Sequence, residues 1–189
     1  MDMIVDELAA EPIANRYDLL RRLPKGGVVA EIGVFAGDFA AKILEIVRPQ
    51  RLVLVDWWKP GPVAQGNVRT TGPENYRRVL DRFAAPIATG QVVVVRQEAS
   101  DAAQQFEDEF LDWVYIDADH NYAGVARDLA AWRTKVKRTG LILGHDYCEL
   151  ADRDYGVVRA VNDAIARREL ELVRVTLEAF PSFIARRAK

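Results

Sequence analysis

The sequence contains a single cysteine, Cys148, which excludes an intrachain disulfide. No segment approaches the roughly 18 apolar residues of a membrane-spanning helix. The amino-terminal stretch carries Asp2, Asp6, Glu7 and Glu11, with no basic start and no continuous apolar run, so it does not read as a secretory signal. Basic charge is not in excess: 26 Lys and Arg stand against 28 Asp and Glu, for a formal net charge of −2. That balance supplies no broad field for nucleic acid or an anionic membrane. The short pairs Arg77-Arg78, Arg167-Arg168 and Arg186-Arg187 read as solvated faces. These absences fit a cytoplasmic protein, with no nucleic-acid or membrane partner expected. A Gly-x-x-x-x-Gly-Lys-Ser/Thr segment is also missing, which argues against a P-loop phosphotransferase.

What remains is ordinary globular composition, half hydrophobic and 29% charged, over 189 residues. That length supports one domain with a substantial core and leaves little room for a second. The expectation is one domain over 1–189 with a short amino-terminal helical cap.

Short aliphatic runs alternate with helical patterns. Val28 to Ile32, Arg51 to Val55, Val92 to Val95, Trp113 to Ile116 and Gly140 to Leu143 read as strands. Near-continuous aliphatic strands separated by helices predict an α/β fold, a Rossmann-like doubly wound and mostly parallel seven-stranded sheet. Leu172 to Leu177 and Ser182 to Ala185 add an antiparallel carboxyl-terminal hairpin around Glu178-Ala179-Phe180-Pro181. Helices are predicted over about Pro12 to Leu23, Phe39 to Val47, Tyr122 to Val136 and Gly156 to Arg168, with a further covering helix through Tyr76, Val79, Leu80 and Phe83. The stretch from Trp57 to Pro73, rich in Pro and Gly, reads as a long loop or lid.

Glu31-Ile32-Gly33-Val34-Phe35-Ala36-Gly37 follows the first strand and leads into a helix. Two glycines permit a tight turn and a close backbone approach to a ligand; they can equally serve only to connect strand and helix. Asp56 ends the second strand, where a doubly wound fold brings a carboxylate to the ribose of a nucleotide. Its alternative role is to cap neighbouring backbone N–H groups. Trp57 is placed to cover adenine, or with Trp58 to close the core edge.

Val29 to Gly37 resembles the first motif of class I S-adenosylmethionine-dependent methyltransferases, and Leu54-Val55-Asp56-Trp57-Trp58 resembles their second. Ile116-Asp117-Ala118-Asp119-His120-Asn121-Tyr122 and Gly144-His145-Asp146-Tyr147 resemble later motifs of a bacterial small-molecule O-methyltransferase group, related in layout to catechol and caffeoyl-CoA O-methyltransferases. The resemblance runs from about Val28 to Asp163. It departs from many class I enzymes at Phe35, where they carry glycine. It implies S-adenosyl-L-methionine as cofactor, with Glu31 orienting the glycine loop or contacting the amino-acid end, Gly33 facing that end, Gly37 in the same binding loop, Asp56 and Trp57 at the ribose and adenine, Glu98, Ala99 and Ser100 beside adenine (Glu98 serving equally as a helix cap), and Asp117 near the methyl donor.

Both histidines follow predicted strands. Asp117, Asp119, His120, His145 and Asp146 therefore fall at carboxyl-terminal strand ends, within common reach. Such an oxygen-rich set suits Mg or Ca, and imidazole extends the choice to Mn. The resemblance implies a divalent metal held by Asp117, His145 and Asp146, although His145-Asp146 replaces the Asp-Asn pair of the related enzymes. The expected reaction is methyl transfer to a small molecule at a hydroxyl oxygen, with Asp117 and His120 as catalytic residues and His120 as general base. Tyr122 and Tyr147 are placed to line the acceptor pocket. A homodimer suits a compact enzyme of this size. Two other readings stand beside this one. A nicotinamide-dependent oxidoreductase would use the same turn and acid, although Gly-x-Gly-x-x-Gly spacing is missing. A non-catalytic nucleotide-binding module would keep the fold without the chemistry.

Overall fold

Parallel strands covered by crossover helices are rich in aliphatic residues, and five such strands build the sheet: β1 (Val28–Ile32), β2 (Arg51–Asp56), β5 (Val92–Arg96), β6 (Leu111–Ile116) and β7 (Val136–Gly144). The computed structural model describes residues 3–65, 68–149 and 155–188. The chain begins with α1 (Met3–Ala10) and α2 (Arg16–Arg22), and α3 (Asp38–Val47) joins β1 to β2. The hairpin β3 (Pro62–Gln65) and β4 (Val68–Thr71) then leads into α4 (Gly72–Arg82) and α5 (Ala84–Ala88). After β5 come α6 (Ala99–Ala102) and a single 3-10 turn; after β6, α7 (Tyr122–Trp132); after β7, α8 (Val157–Ala166), β8 (Leu170–Val175) and β9 (Phe183–Arg187).

The main sheet has seven strands in the order β5-β2-β1-β6-β7-β9-β8. The first five run parallel, and β9 pairs antiparallel with both β7 and β8. The mostly parallel α/β sheet with its antiparallel carboxyl-terminal hairpin is thus the architecture the sequence predicts. From β1 the chain moves outward through β2 to β5, then returns to β6 on the other side of β1. The carboxyl ends of β1 and β6 therefore flank the switch point where such sheets hold their ligands. One hydrophobic cluster, built around Leu19, Phe39, Ile43 and Val79, covers one face of the sheet, and another around Val125, Leu129, Trp132 and Val161 covers the other.

Several boundaries differ from the sequence reading; the last two strands, for example, fall at Leu170–Val175 and Phe183–Arg187. The helix expected from Pro12 starts at Arg16, because Asn15 Oδ1 accepts from the Tyr17 and Asp18 N–H groups and sets the cap there. A separate helix, α1, precedes it and packs on β8. The stretch from Trp57 to Pro73 contains the β3–β4 hairpin and the start of α4 (Gly66 and Asn67 lie outside the described residues), with Thr71 and Glu74 forming a reciprocal capping box. Val136 belongs to β7, paired with Leu111, because α7 stops at Trp132. Among the described residues, no helix is long and apolar enough to cross a membrane.

Candidate active site

The two glycines after β1 serve the packing of the loops. Gly33 has φ +92, and a Cβ there would lie 2.1 Å from the Asp117 carbonyl oxygen. Its missing side chain is what lets the ends of β1 and β6 meet. Gly37, φ +81, is the N-cap of α3 and sits against the Phe83 ring. Between them Phe35 takes a left-handed backbone with φ +53, a conformation that non-glycine residues adopt at a cost.

Asp56 holds that turn in place. Its Oδ2 accepts from the Val34 N–H at 3.0 Å and the Phe35 N–H at 2.8 Å, and its Oδ1 accepts from the Trp58 N–H at 2.7 Å. Trp58 closes the circuit by donating from Nε1 to the Phe35 carbonyl at 2.8 Å. Burial raises the Asp56 pKa, against the three backbone donors that lower it. Asp56 thus caps three backbone N–H groups, the other role open to it in the sequence, and these engage three of its about four lone-pair directions. Trp58 is buried, whereas Trp57 is 47% exposed with Lys59 Nζ 4.9 Å from its ring.

Across the switch point, Asp117, His120 and Asp146 each offer one ligand atom, all within 4.8 Å of one another. His120 Nε2 lies 2.6 Å from Asp146 Oδ2 and 3.7 Å from Asp117 Oδ1. His145, expected as a ligand, is not part of this group; its Nδ1 lies 3.2 Å from the other Asp146 oxygen and 3.9 Å from Asp117 Oδ2. The expected and observed sets share Asp117 and Asp146 and differ in the histidine. Contacts with Asp117 and Asp146 raise the His120 pKa from 6.5 to about 10, against burial. Burial would raise the Asp146 carboxyl, but hydrogen bonds from His120 and His145 outweigh it and hold the group well below the usual carboxylate range. Asp146 itself has φ +58. Asp119 is not in the cluster; its Oδ1 accepts from the His120 and Asn121 N–H groups and shapes the turn before α7.

The remaining expected residues are dispersed around this centre. Glu98 N-caps α6 without a side-chain cap bond and pairs with Arg127 at 3.0 Å, Ala99 is buried with its carbonyl accepting from Trp132 Nε1, and Ser100 lies in the first turn of α6. Tyr122 and Tyr147 donate to Asp163 and Asn162 on α8. Glu31 is 2% exposed, and its Oε2 has no hydrogen-bond partner among the described residues. Burial, then the Asp117 charge, push its pKa well above the usual range.

Two residues of the site carry no sequence signal. Tyr155 stacks on His120 with ring centroids 5.2 Å apart, and its hydroxyl reaches Asp146 Oδ2 at 3.4 Å. Arg16 arrives from α2, far from any strand end, and its Nη1 lies 3.6 Å from Asp117 Oδ2. A surface hollow lined by Leu44, Arg48, Ala85, Pro86, Thr89 and Gln91 includes none of the residues named for the site.

The model of a family described as a methyltransferase domain matches residues 30–147. No curated protein matches the sequence. Among solved structures, a putative rRNA-methylase from Clostridium thermocellum is similar with TM-score 0.66 and 11% identity, covering 95% of this chain and 99% of that one. The pyocyanin biosynthetic protein PhzM is similar with TM-score 0.65 and 15% identity over 97% of this chain, which spans 55% of the length of PhzM. The B. subtilis M1A22 tRNA methyltransferase TrmK is similar with TM-score 0.60 and 10% identity, covering 100% of this chain and 67% of that one. At these identities the likeness establishes the fold, and the family match, over more than half of the chain, shows the family: the chain belongs to the methyltransferase-domain family, of the class I S-adenosylmethionine-dependent type.

Proposed function

We propose that this protein transfers a methyl group from S-adenosylmethionine to a hydroxyl oxygen of a small molecule, assisted by a divalent cation held by Asp117, His120 and Asp146. The observation that carries this reading is the convergence of those three ligand atoms, within 4.8 Å, at the crevice flanked by the glycine turn. Two carboxylates and an imidazole suit Mg or Mn. The orphaned Oε2 of Glu31 fits the ammonium group of the methyl donor, a buried acceptor otherwise left without a donor.

The cofactor, when bound, supplies a methyl carbon on a positively charged sulfur, and a bound cation lowers the pKa of a hydroxyl beside it. The protein supplies orientation. Asp56 fixes the turn after β1 and offers its free Oδ1 direction to ribose; Trp57, with Glu98, Ala99 and Ser100, borders the adenine. Asp117 stands at the end of β6 between donor and acceptor. His145 orients Asp146 through its other oxygen. His120 is the expected base, but a base must be neutral. Facing Asp117 and Asp146 with a pKa of about 10, it is an imidazolium at neutral pH. A cation taking those carboxylates competes with that proton, so His120 is better suited as a ligand, or as a base only after the proton has gone.

A small acceptor is favoured over RNA because a net charge of −2 provides no general attraction for a polyanion. We propose residues 1–189 as one working unit, with α1 and α2 capping the sheet. Calorimetric titration with S-adenosylmethionine and S-adenosylhomocysteine, with NAD as control, tests the cofactor. Saturable binding of the first two and none of NAD is expected. Titration with Mn²⁺ before and after chelation, followed by a screen of hydroxylated aromatic acceptors, tests the rest. Full methyl transfer by metal-free protein would sink the cation, and binding of the donor without transfer to any hydroxyl, amine or carbon acceptor would favour a non-catalytic module.

A further inference from the structure

Arg16 is, among the described residues, the one arginine or lysine paired with a carboxylate of the cluster. We propose that its guanidinium binds the α-carboxylate of the methionine moiety of S-adenosylmethionine. This inference rests on the proposed use of that donor.

Position comes first. Arg16 spans the crevice: its guanidinium carbon lies 4.8 Å from the centroid of Phe39, in the first turn of α3, and its Nη1 faces Asp117 at the end of β6. Those two elements border the switch point on either side of β1. Charge comes second. Glu31 lies in the field of Asp117, Asp56 and Asp38, with Arg16 the opposing cation. The donor carries a sulfonium, an ammonium and a carboxylate. Acids suit its two cations and repel its anion, so the pocket needs one cation, and Arg16 supplies it.

Geometry comes third. At 3.6 Å the approach to Asp117 is longer than a hydrogen bond. The guanidinium is held near the acid by charge, without the two-pronged bond that its planar fork makes with a carboxylate. Its backbone is meanwhile fixed. The Arg16 N–H donates to Glu178 Oε1 at 2.7 Å, and the same oxygen accepts from the Thr176 hydroxyl at 3.0 Å and the Ser182 hydroxyl at 3.4 Å. Ser182 Oγ in turn lies 2.8 Å from the hydroxyl of Tyr115 on β6. A side chain resting on an aromatic ring, from a backbone tied to the sheet, loses little further freedom when it takes up an anion.

Decarboxylated S-adenosylmethionine isolates the contact, since it keeps the sulfonium and ammonium and lacks only the carboxylate. Calorimetry or competition should show wild-type protein binding it at least tenfold more weakly than S-adenosylmethionine. Arg16→Met should lose at least tenfold in affinity for S-adenosylmethionine and show less than a threefold preference between the two. Arg16→Lys, which keeps the charge without the fork, should fall between. Wild-type protein that binds both molecules equally overturns the assignment whatever the variants do, as does a folded Arg16→Met that keeps the full preference. Wild-type protein that binds neither overturns the methyl-donor reading itself, and the clamp with it.

Discussion

Replacing Asp56 by asparagine removes one oxygen from a carboxylate that serves three backbone donors. Asparagine has one acceptor oxygen and one NH₂ group. If the oxygen faces Val34 and Phe35, the NH₂ group faces the Trp58 N–H; in the opposite rotamer it faces the other two. The better rotamer therefore loses one charge-assisted bond and sets two donors against each other. A hydrogen bond to a charged group contributes about 1.5–3 kcal/mol, so Asp56→Asn should cost about 2–3 kcal/mol. Asp56→Ala leaves all three N–H groups without an acceptor and should cost about 4.5–9 kcal/mol on the same scale, enough to bring a domain of this size close to unfolding. Part of that loss passes to the turn, because Phe35 at φ +53 and Trp58 at φ +43 hold left-handed conformations against their preference. Urea denaturation at pH 7 measures both variants. An Asp56→Asn protein within about 0.5 kcal/mol of wild type, with an unchanged denaturant slope, would refute the strut. Weakened cofactor binding in Asp56→Ala would not by itself identify a ribose ligand, since the turn fails with it.

Asp128, on α7, is 1% exposed, and burial, with Asp119 and Glu98 adding repulsion against the opposing Arg127, raises its pKa from 3.8 to about 7. A carboxyl whose folded pKa is raised leaves stability intact below pH 4 and subtracts from it as pH climbs to 7, reaching about 4 kcal/mol at 1.36 kcal/mol per pH unit. Asp128→Asn should therefore gain on wild type by roughly 3 kcal/mol more at pH 8 than at pH 5, and a pH-independent difference in urea midpoints would count against the buried charge. Gly33→Ala places a methyl 2.1 Å from the Asp117 carbonyl oxygen at φ +92, so backbone must move. A melting temperature at least about 10 °C lower is expected, and a variant that melts with the wild type would show that the β1–β6 approach is not tight.

The sequence was legible where burial forces a simple code. β2 is aliphatic from Leu52 to Val55 and β6 is apolar from Trp113 to Ile116, because both faces of an interior parallel strand are dry, and an acid follows each run, Asp56 and Asp117. The β3–β4 hairpin was hidden because Pro62 and Gly61 read as punctuation, and because it is fixed by a distant contact: Gly72 passes so close to the Lys59 carbonyl that a Cβ would lie 2.1 Å from it. Val136 looked helical in spacing, but Lys135 N–H turns back to the Trp132 carbonyl and releases the chain into β7. The choice between His120 and His145 could not be read, because spacing places both beyond strand ends and side-chain direction depends on the Asp119 turn and the left-handed Asp146. Arg16 gave no signal, since its place beside Asp117 depends on a backbone tie to Glu178, which stands 162 positions away.

That last distance constrains how the molecule is made. Arg16 and Glu178 meet only after the five parallel strands between them are in register, and the Leu177 N–H on the same turn closes onto the Ile13 carbonyl. Pairings this remote in sequence form late, because the entropy of closing so long a loop must be offset by contacts already in place. A ribosome that has exposed the chain through Asp146, two residues past β7, has exposed every expected cofactor and metal residue. The backbone of Arg16, whose side chain lies between Phe39 and Asp117, nevertheless stays untied until the β8–β9 turn emerges, so the placement of an early helix waits on a turn made 162 residues later.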